Sequence, residues 1–185
     1  MSADPPDREL IEQTARGNLK SFERFVHRHK LRVHRFVTWD QRVGTKDAED
    51  VTQEVFIAAF TSARKFKAKS SVKTWLYSVA KNTISNWHRA QRRHQQGRQE
   101  LDDGLVELSG IPQPDREEQL RRSLDQALTF LVQHNEDLAQ TLMLREWEGL
   151  SYEDIAQVMQ IPIGTVRSRL HSARKLLMEQ VDHEL

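Results

Sequence analysis

LREWEGLSYEDIAQVMQIPIGTVRSRLHSARKLL, residues 144–177, decides the fold of the C-terminal part of this sequence. Ser151 can cap a first helix, and Asp154 three residues later completes a capping box. The turn around residues 160–164 contains Pro162, which marks the start of a second helix, where its missing N–H costs nothing. The core-facing residues of the first helix are predicted to be Ile155, Ala156 and Met159. The stretch therefore predicts two short helices joined by a tight turn, which is the helix-turn-helix arrangement of DNA-binding proteins.

The second helix separates an apolar side from a basic one. Its apolar side consists of Val166, Leu170, Ala173 and Leu177. Their helical spacing predicts packing against the first helix. The outward residues are Thr165, Arg167, Ser168, His171, Ser172, Arg174 and Lys175. Arginine can pair bidentately with guanine or phosphate, so this surface suits a DNA major groove; the alternative is a solvated basic face on an ordinary helical hairpin.

The composition is that of a globular protein, since 37% of the 185 residues are apolar and 30% are charged. No apolar run approaches the roughly 20 residues that a bilayer requires. The polar, acidic N-terminus does not resemble a signal peptide, so we expect a cytoplasmic protein. The absence of cysteine excludes disulfides and thiolate metal sites. The densest histidine group, His27, His29 and His34, does not converge on one side of a helix, so we expect no metal and no cofactor.

Charge is segregated along the chain although the net charge is only +1. Residues 64–73 hold five cations and no acid, and residues 88–98 hold four arginines and no acid. Such basic blocks indicate places where phosphates are neutralised. Residues 99–118 hold seven acids among glycines and prolines that interrupt regular structure. We interpret this segment as a flexible acidic linker between domains 1–98 and 119–185; the simpler alternative is a solubilising spacer.

The segments before the linker have helical rather than strand periodicity, so both domains are predicted to be all-α. We expect helices over residues 10–16 and 19–39 and a third that begins near Asp47. In the third, DAEDVTQEVFIAAF (47–60), Asp47 and Asp50 form a cap-like pair that also suits the positive helix N-terminus. One outer face is shared by Asp50, Gln53, Glu54 and Ile57. Composition alone favours a solvated acidic surface there.

The next motif, FKAKSSVKTWLYSVAKNTISNWHRAQRR (66–93), is a basic loop followed by a helix with two different faces. The predicted packing side holds Trp75, Leu76, Val79, Ala80, Thr83 and Trp87. A polar track on the other side comprises Thr74, Ser78, Lys81, Ser85, His88 and Arg92. Aromatic rings beside a basic groove can stack unpaired bases, but both tryptophans point inward, which favours core packing. Phe66 in the loop is freer to contact a base.

These three motifs, in this order, resemble those of bacterial sigma factors of the extracytoplasmic function (ECF) family, and the resemblance covers nearly the whole chain. It implies a promoter-recognition subunit of RNA polymerase that is not an enzyme and takes no small-molecule substrate. The N-terminal domain would bind the β′ clamp of core polymerase and the minus-10 element of promoter DNA. The C-terminal domain would bind the minus-35 element and the β flap. The resemblance also implies an anti-sigma partner, of a kind often anchored in the inner membrane.

Carried over residue by residue, the resemblance makes the acidic face of the third helix a polymerase-docking surface. Its residues are Asp47, Asp50, Gln53 and Glu54. The loop over residues 68–72 would hold a base flipped out of the minus-10 duplex, and unstacking one base costs only a few kcal/mol. The minus-10 residues are Phe66, Ala68, Lys69, Ser70, Ser71, Lys81, Asn82, Ser85, His88 and Arg92. The minus-35 residues are the outward residues of the second helix, together with Arg145 and Tyr152 on phosphates.

The sequence departs from the family pattern in two places. Many relatives have glycine, an acid and phenylalanine where Ala68, Lys69 and Val72 stand here, so their minus-10 base preference does not transfer. His171 and Ser172 stand where an aromatic residue and arginine are common, so the minus-35 sequence does not transfer either. The linker is placed like a family segment that leads toward the RNA-exit path of polymerase, which suggests that its acids mimic RNA.

Two other classes of function stay open on the residues alone. One is a conventional helix-turn-helix regulator whose N-terminal half binds a ligand or dimerises, although such a protein has no need of an acidic helix beside a basic loop. The other is a nucleic-acid-processing enzyme, which needs clustered carboxylates for metal ions or a nucleophile with its base. Asp47, Glu49, Asp50 and Glu54 are close in sequence, but no second acidic motif joins them.

Overall fold

The part of the chain described by the computed structural model, residues 4–40, 43–44, 46–95 and 116–184, contains helices and no strands, which confirms the all-α prediction. The helices are α1 (Asp7–Ala15), α2 (Leu19–Thr38), α3 (Ala48–Ser62), α4 (Val72–Gln95), α5 (Arg116–His134), α6 (Glu136–Glu146), α7 (Tyr152–Met159) and α8 (Ile163–Glu184). A 3-10 turn, Ala63–Lys65, follows α3. None of the described helices is both long and apolar enough to span a bilayer.

Local sequence explains most of the helix starts. Asn18 caps α2, accepting a hydrogen bond from the Ser21 N–H at 3.2 Å. The predicted cap at Asp47 was wrong, because the Asp47 side chain accepts no hydrogen bond from α3. A capping side chain needs an extended backbone at its own residue, whereas Asp47 has helical angles, φ −93° and ψ −14°.

The predicted linker ends earlier than expected. Residues 116–118 are helical and open α5, because the good helix formers of the segment REEQ (116–119) follow Pro114 and Asp115. Residues 96–115, which hold most of the predicted linker, lie outside the described residues.

The helices form two groups, which we call the N-terminal bundle (α1–α4) and the C-terminal bundle (α5–α8). α3 packs against α4 in the first, and α8 packs against α5 and α6 in the second. The two bundles are in contact through α4 and α7, and a single cluster of buried apolar residues runs through both. The faces of α4 are therefore divided between its own bundle and the other.

A buried histidine links α1 to α2. Nε2 of His29 lies 2.9 Å from Oδ2 of Asp7. Burial lowers the pKa of His29, opposed by the Asp7 carboxylate, which raises it. Because the folded-state pKa lies below the unfolded one, the unfolded chain takes up this proton first as pH falls.

We therefore expect a stabilising contribution from neutral His29 that is present above its unfolded pKa, about 6.5, and is lost as pH falls below that value. Urea unfolding of the wild type and a His29→Gln variant over about pH 5.5 to 7.5 measures this contribution. The variant should lose less stability on acidification, and an equal loss in both proteins would contradict the assignment.

Candidate nucleic-acid interface

The helix-turn-helix is set by a cap, a left-handed residue and a proline. The Ser151 hydroxyl accepts a hydrogen bond from the Asp154 N–H at 3.0 Å and donates to Oδ2 of the same residue at 2.7 Å, which confirms the predicted cap of α7. α7 ends at Gln160, whose left-handed φ of 56° turns the chain. α8 begins directly after Pro162, so Gly164 lies inside the helix rather than in the predicted turn.

α8 is fixed by the apolar side that the sequence predicted. Val166, Leu170 and Ala173 are buried, and Leu177 is partly buried. In α7, Ile155 and Met159 are buried as predicted, whereas Ala156 is only half-buried and Val158 takes a buried position instead. These contacts leave the opposite side of α8 facing outward.

Most of the predicted minus-35 residues lie on that outward side. The exposed ones are Arg167, Ser168, His171, Ser172, Arg174 and Lys175, and the half-buried ones are Arg145, Tyr152 and Thr165. Arg167, His171 and Lys175 line one shallow cavity of about 390 Å³ with Arg174, which donates to Glu146 at 2.6 Å. This hydrogen bond raises the pKa of Arg174. The surface therefore presents Arg167, His171 and Lys175 together on one helix, beside an Arg174 that is ion-paired with Glu146.

Arg145 holds the turn that precedes α7. Its Nη1 donates to the Leu150 carbonyl at 2.8 Å, and its guanidinium lies 5.2 Å from the centre of the Tyr152 ring. Arg145 and Tyr152, the two predicted phosphate contacts, therefore lie against each other at the edge of the helix-turn-helix.

An open cavity lies beside the basic loop that precedes α4. The cavity, about 350 Å³, is lined by Phe66, Ala68, Ser70 and Ser71 of the loop, by Val72 and Lys73 at the start of α4, and by Asp7 and Arg8 of α1. Ala68 has a left-handed φ of 52°, the conformation in which glycine is favoured. Ala68 therefore occupies a position at which glycine would be less strained. Phe66 is less free than predicted, because it packs 5.3 Å from the Trp75 ring.

Sequence reasoning missed two features of this loop, although a serine before a helix, such as Ser71, is a known signal for a cap. Ser71 caps α4 by accepting a hydrogen bond from the Thr74 N–H at 3.0 Å. Asp7 and Arg8 reach the cavity only because α1 packs on the turn that follows α3, a contact between residues distant in sequence.

The prediction that α4 packs on one side only was wrong. On the polar track, Thr74 and His88 are buried, Ser78, Lys81 and Ser85 are half-buried, and Arg92 is exposed. The track is covered because the C-terminal bundle lies on it. Three hydrogen bonds join α4 to the C-terminal bundle. Thr74 Oγ1 donates to Asp154 Oδ1 at 2.9 Å, and Lys81 Nζ donates to Gln140 Oε1 at 2.7 Å. Asn82 Oδ1 accepts the third, from Gln160 Nε2 at 3.0 Å.

His88 is part of a buried group rather than an open surface. Its Nε2 lies 2.9 Å from Oδ1 of Asp40, a fully buried carboxylate, and Gln140 Nε2 lies 3.5 Å from the other Asp40 oxygen. In this arrangement His88 connects the end of α2 to α4 and is not accessible to DNA.

The acidic face of α3 is open. Asp50, Gln53 and Glu54 are exposed, Asp47 is half-buried, and Ile57 beside them is 65% exposed. The opposite side of α3 is anchored by Val51 and Val55, both fully buried. The face is thus a rigid acidic surface with an apolar residue at its end, which fits a protein partner.

Two parts of this chain match models of known protein families. Residues 25–94 match the family model of sigma-70 region 2, and residues 135–177 match that of sigma-70 region 4. The chain is 36% identical to the ECF RNA polymerase sigma-E factor of Haemophilus influenzae, over 98% of this chain and 98% of that protein. It is 37% identical to the RNA polymerase sigma-H factor of Pseudomonas aeruginosa, over 96% of this chain and 94% of that protein.

A solved structure shares the fold. The sigma factor RpoE of Bartonella quintana, in complex with the anti-sigma factor NepR, superposes with a TM-score of 0.66 at 23% identity. The match covers 88% of this chain and 98% of that chain.

Proposed function

This chain belongs to the ECF sigma factors of bacterial RNA polymerase, and we propose on that premise that its two bundles divide promoter recognition between them. The domain over residues 1–98 docks on core polymerase through Asp47, Asp50, Gln53 and Glu54, and captures the melted minus-10 strand with the loop and α4. The domain over residues 119–185 reads the minus-35 duplex with α8. The protein acts in the cytoplasm with polymerase and catalyses no bond change itself.

One observation carries this proposal: a single chain holds both a basic helix on a capped helix-turn-helix and a cavity under a basic loop. The first suits duplex DNA, and the second is large enough to receive an unstacked base. Control by an anti-sigma protein is part of the proposal, supported by the Bartonella quintana relative, which was solved with such a partner.

Run-off transcription tests the proposal. Purified core polymerase is given this chain and a library of templates with randomised minus-35 and minus-10 elements, and core polymerase alone is the control. We expect transcripts that depend on the chain and come from a subset of templates. Transcription that is equal with and without the chain would refute the proposed function.

Replacing Arg167 by alanine should weaken binding to minus-35 duplex DNA. If Arg167 pairs with a base, the loss of binding free energy is about 1–3 kcal/mol and depends on the base pair at one position of the minus-35 element. If it holds a phosphate, the loss is uniform across sequences and the salt dependence becomes shallower. Binding of holoenzyme to duplexes at several salt concentrations distinguishes the two. The control is Arg16→Ala, which removes an exposed arginine of the N-terminal bundle. If Arg167→Ala binds the duplexes as tightly as Arg16→Ala at every salt concentration, Arg167 does not contact the DNA.

Replacing Asn82 by alanine should impair strand opening more than duplex binding, because its amide is proposed to hold an unpaired base. Permanganate reactivity of promoter thymines measures opening, and a gel-shift assay measures holoenzyme binding. Asn86→Ala is the matched control, an exposed asparagine one turn along the same helix. Equal losses of opening and of binding would contradict the assignment.

A further inference from the structure

A buried carboxylate of the C-terminal bundle lies against the N-terminal bundle. Glu148 stands in the turn between α6 and α7, its side chain is only 2% exposed, and its Oε2 accepts no hydrogen bond from the described residues. Two cations face this oxygen, since Arg32 Nη1 and Lys73 Nζ each lie 3.7 Å from it. Lys73 Nζ also donates to the Glu148 main-chain carbonyl at 2.8 Å.

The Tyr77 hydroxyl lies beside the same carboxylate. Tyr77 is 1% exposed, and its pKa is raised first by burial and then by the charge of Glu148. The hydroxyl therefore stays protonated and remains a hydrogen-bond donor. We call Arg32 of α2 and Lys73 and Tyr77 of α4 the anion cradle. The groups that they direct at Glu148 are all hydrogen-bond donors.

Glu148 fits the cradle imperfectly. Its Oε2 accepts no hydrogen bond and is held by the charges of the two cations at 3.7 Å, so without the Glu148 charge these cations would face a neutral buried group. A phosphodiester, like a carboxylate, carries one negative charge shared by two oxygens, so it can replace the Glu148 carboxylate between Arg32 and Lys73. Lys73 also lines the cavity under the basic loop, which places the cradle beside the proposed position of the flipped base.

We propose that the anion cradle binds a backbone phosphate of the captured minus-10 strand and that Glu148 occupies this place in the arrangement seen here. The inference rests on the proposed function, because the strand is captured at the neighbouring loop. The strand and the C-terminal bundle then compete for the cradle, and they compete in the same way for the proposed minus-10 residues Lys81 and Asn82, which contact Gln140 and Gln160 here. A chain without the Glu148 charge binds the strand more tightly, and a chain without Arg32 binds it with one fewer phosphate contact.

The test uses the full-length chain and a fluorescent single-stranded oligonucleotide with the minus-10 sequence of a promoter selected by run-off transcription. Glu148→Gln should raise the affinity about tenfold if the closed arrangement holds about nine-tenths of the molecules. Glu153→Gln is the matched control, because it removes one negative charge from an exposed position on α7. In the Glu148→Gln background, Arg32→Ala should reduce the slope of log affinity against log salt by about 0.7, the value for one phosphate of a single strand. Arg24→Ala, on the same helix, should leave that slope unchanged.

Equal strand affinities for Glu148→Gln and Glu153→Gln would overturn the inference, as would an Arg32→Ala slope equal to that of Arg24→Ala. The wild-type and Glu148→Gln chains are also assayed in run-off transcription with core polymerase. If both chains initiate transcription but Arg32→Ala leaves the salt slope unchanged, only the anion cradle is refuted and the proposed function stands. Failure of both to initiate overturns the proposed function itself.

Discussion

Core polymerase should no longer bind a chain in which Asp50 and Glu54 are both replaced by lysine, and run-off transcription should fall at least about 100-fold. Both side chains are exposed on α3, and neither supports the fold, because α3 is anchored by Val51 and Val55 on its other side. A docking surface built from acids is complementary to cations, and like charges placed opposite each other cost several kcal/mol.

Co-elution of the chain with core polymerase on size exclusion, together with run-off transcription, measures this loss. The control carries Glu23→Lys and Glu153→Lys, which reverse two exposed acids outside the proposed docking surface. Its net charge is the same as that of the test variant, so a general electrostatic effect would weaken both alike. If the Asp50 and Glu54 variant co-elutes and initiates as well as this control, the polymerase does not dock on α3.

Leu170→Ala should destabilise the protein by about 2–5 kcal/mol. Leu170 is 1% exposed on α8, where it anchors the helix in the core of the C-terminal bundle. Truncation removes buried apolar surface and leaves a cavity that rigid neighbours fill only in part. Because α8 carries the outward residues proposed to read DNA, minus-35 binding should fall together with stability.

Urea unfolding followed by circular dichroism measures the change. Met178→Ala is the matched control, since Met178 lies on the same helix and is 67% exposed, and it should change stability by less than about 0.5 kcal/mol. A Leu170→Ala variant as stable as Met178→Ala would show that α8 is not anchored as described.

The sequence was sufficient where structure depends on neighbours along the chain. Ser151 and Asp154 form their cap within one helical turn, and the apolar spacing of α8 places Val166 and Leu170 in the core. Short-range patterns also mark the acidic face of α3, because a helix period separates exposed from buried positions without reference to the rest of the fold. The left-handed turn at Gln160 was not predictable, since glycine or asparagine usually marks that conformation.

The sequence was insufficient where residues distant along the chain meet. It did not predict that the two bundles pack together, and this contact buries Thr74 and His88 on a side of α4 expected to be polar and open. Periodicity identifies the faces of a helix, but α4 has a neighbour on both sides. Glu148 gave no signal either, because an acid beside a glycine in a turn is usually solvated. The assignments that depend on contact between the bundles therefore came only from the structure.

The contact between the bundles has a direct consequence for promoter binding. Thr74, Lys81 and Asn82 each contact a side chain of the C-terminal bundle. Because Lys81 and Asn82 are proposed to hold the minus-10 strand, we expect the bundles to separate when polymerase and promoter are bound.

The most direct test of this account is the distance between the bundles, measured by fluorescence energy transfer. The chain has no cysteine, so Glu23→Cys and Met178→Cys, both at exposed positions in different bundles, can carry the two dyes. We predict high transfer in the free chain and a marked fall once the labelled chain is bound to core polymerase and an open promoter. Transfer that stays at the free-chain value in a complex that is initiating transcription would contradict the account.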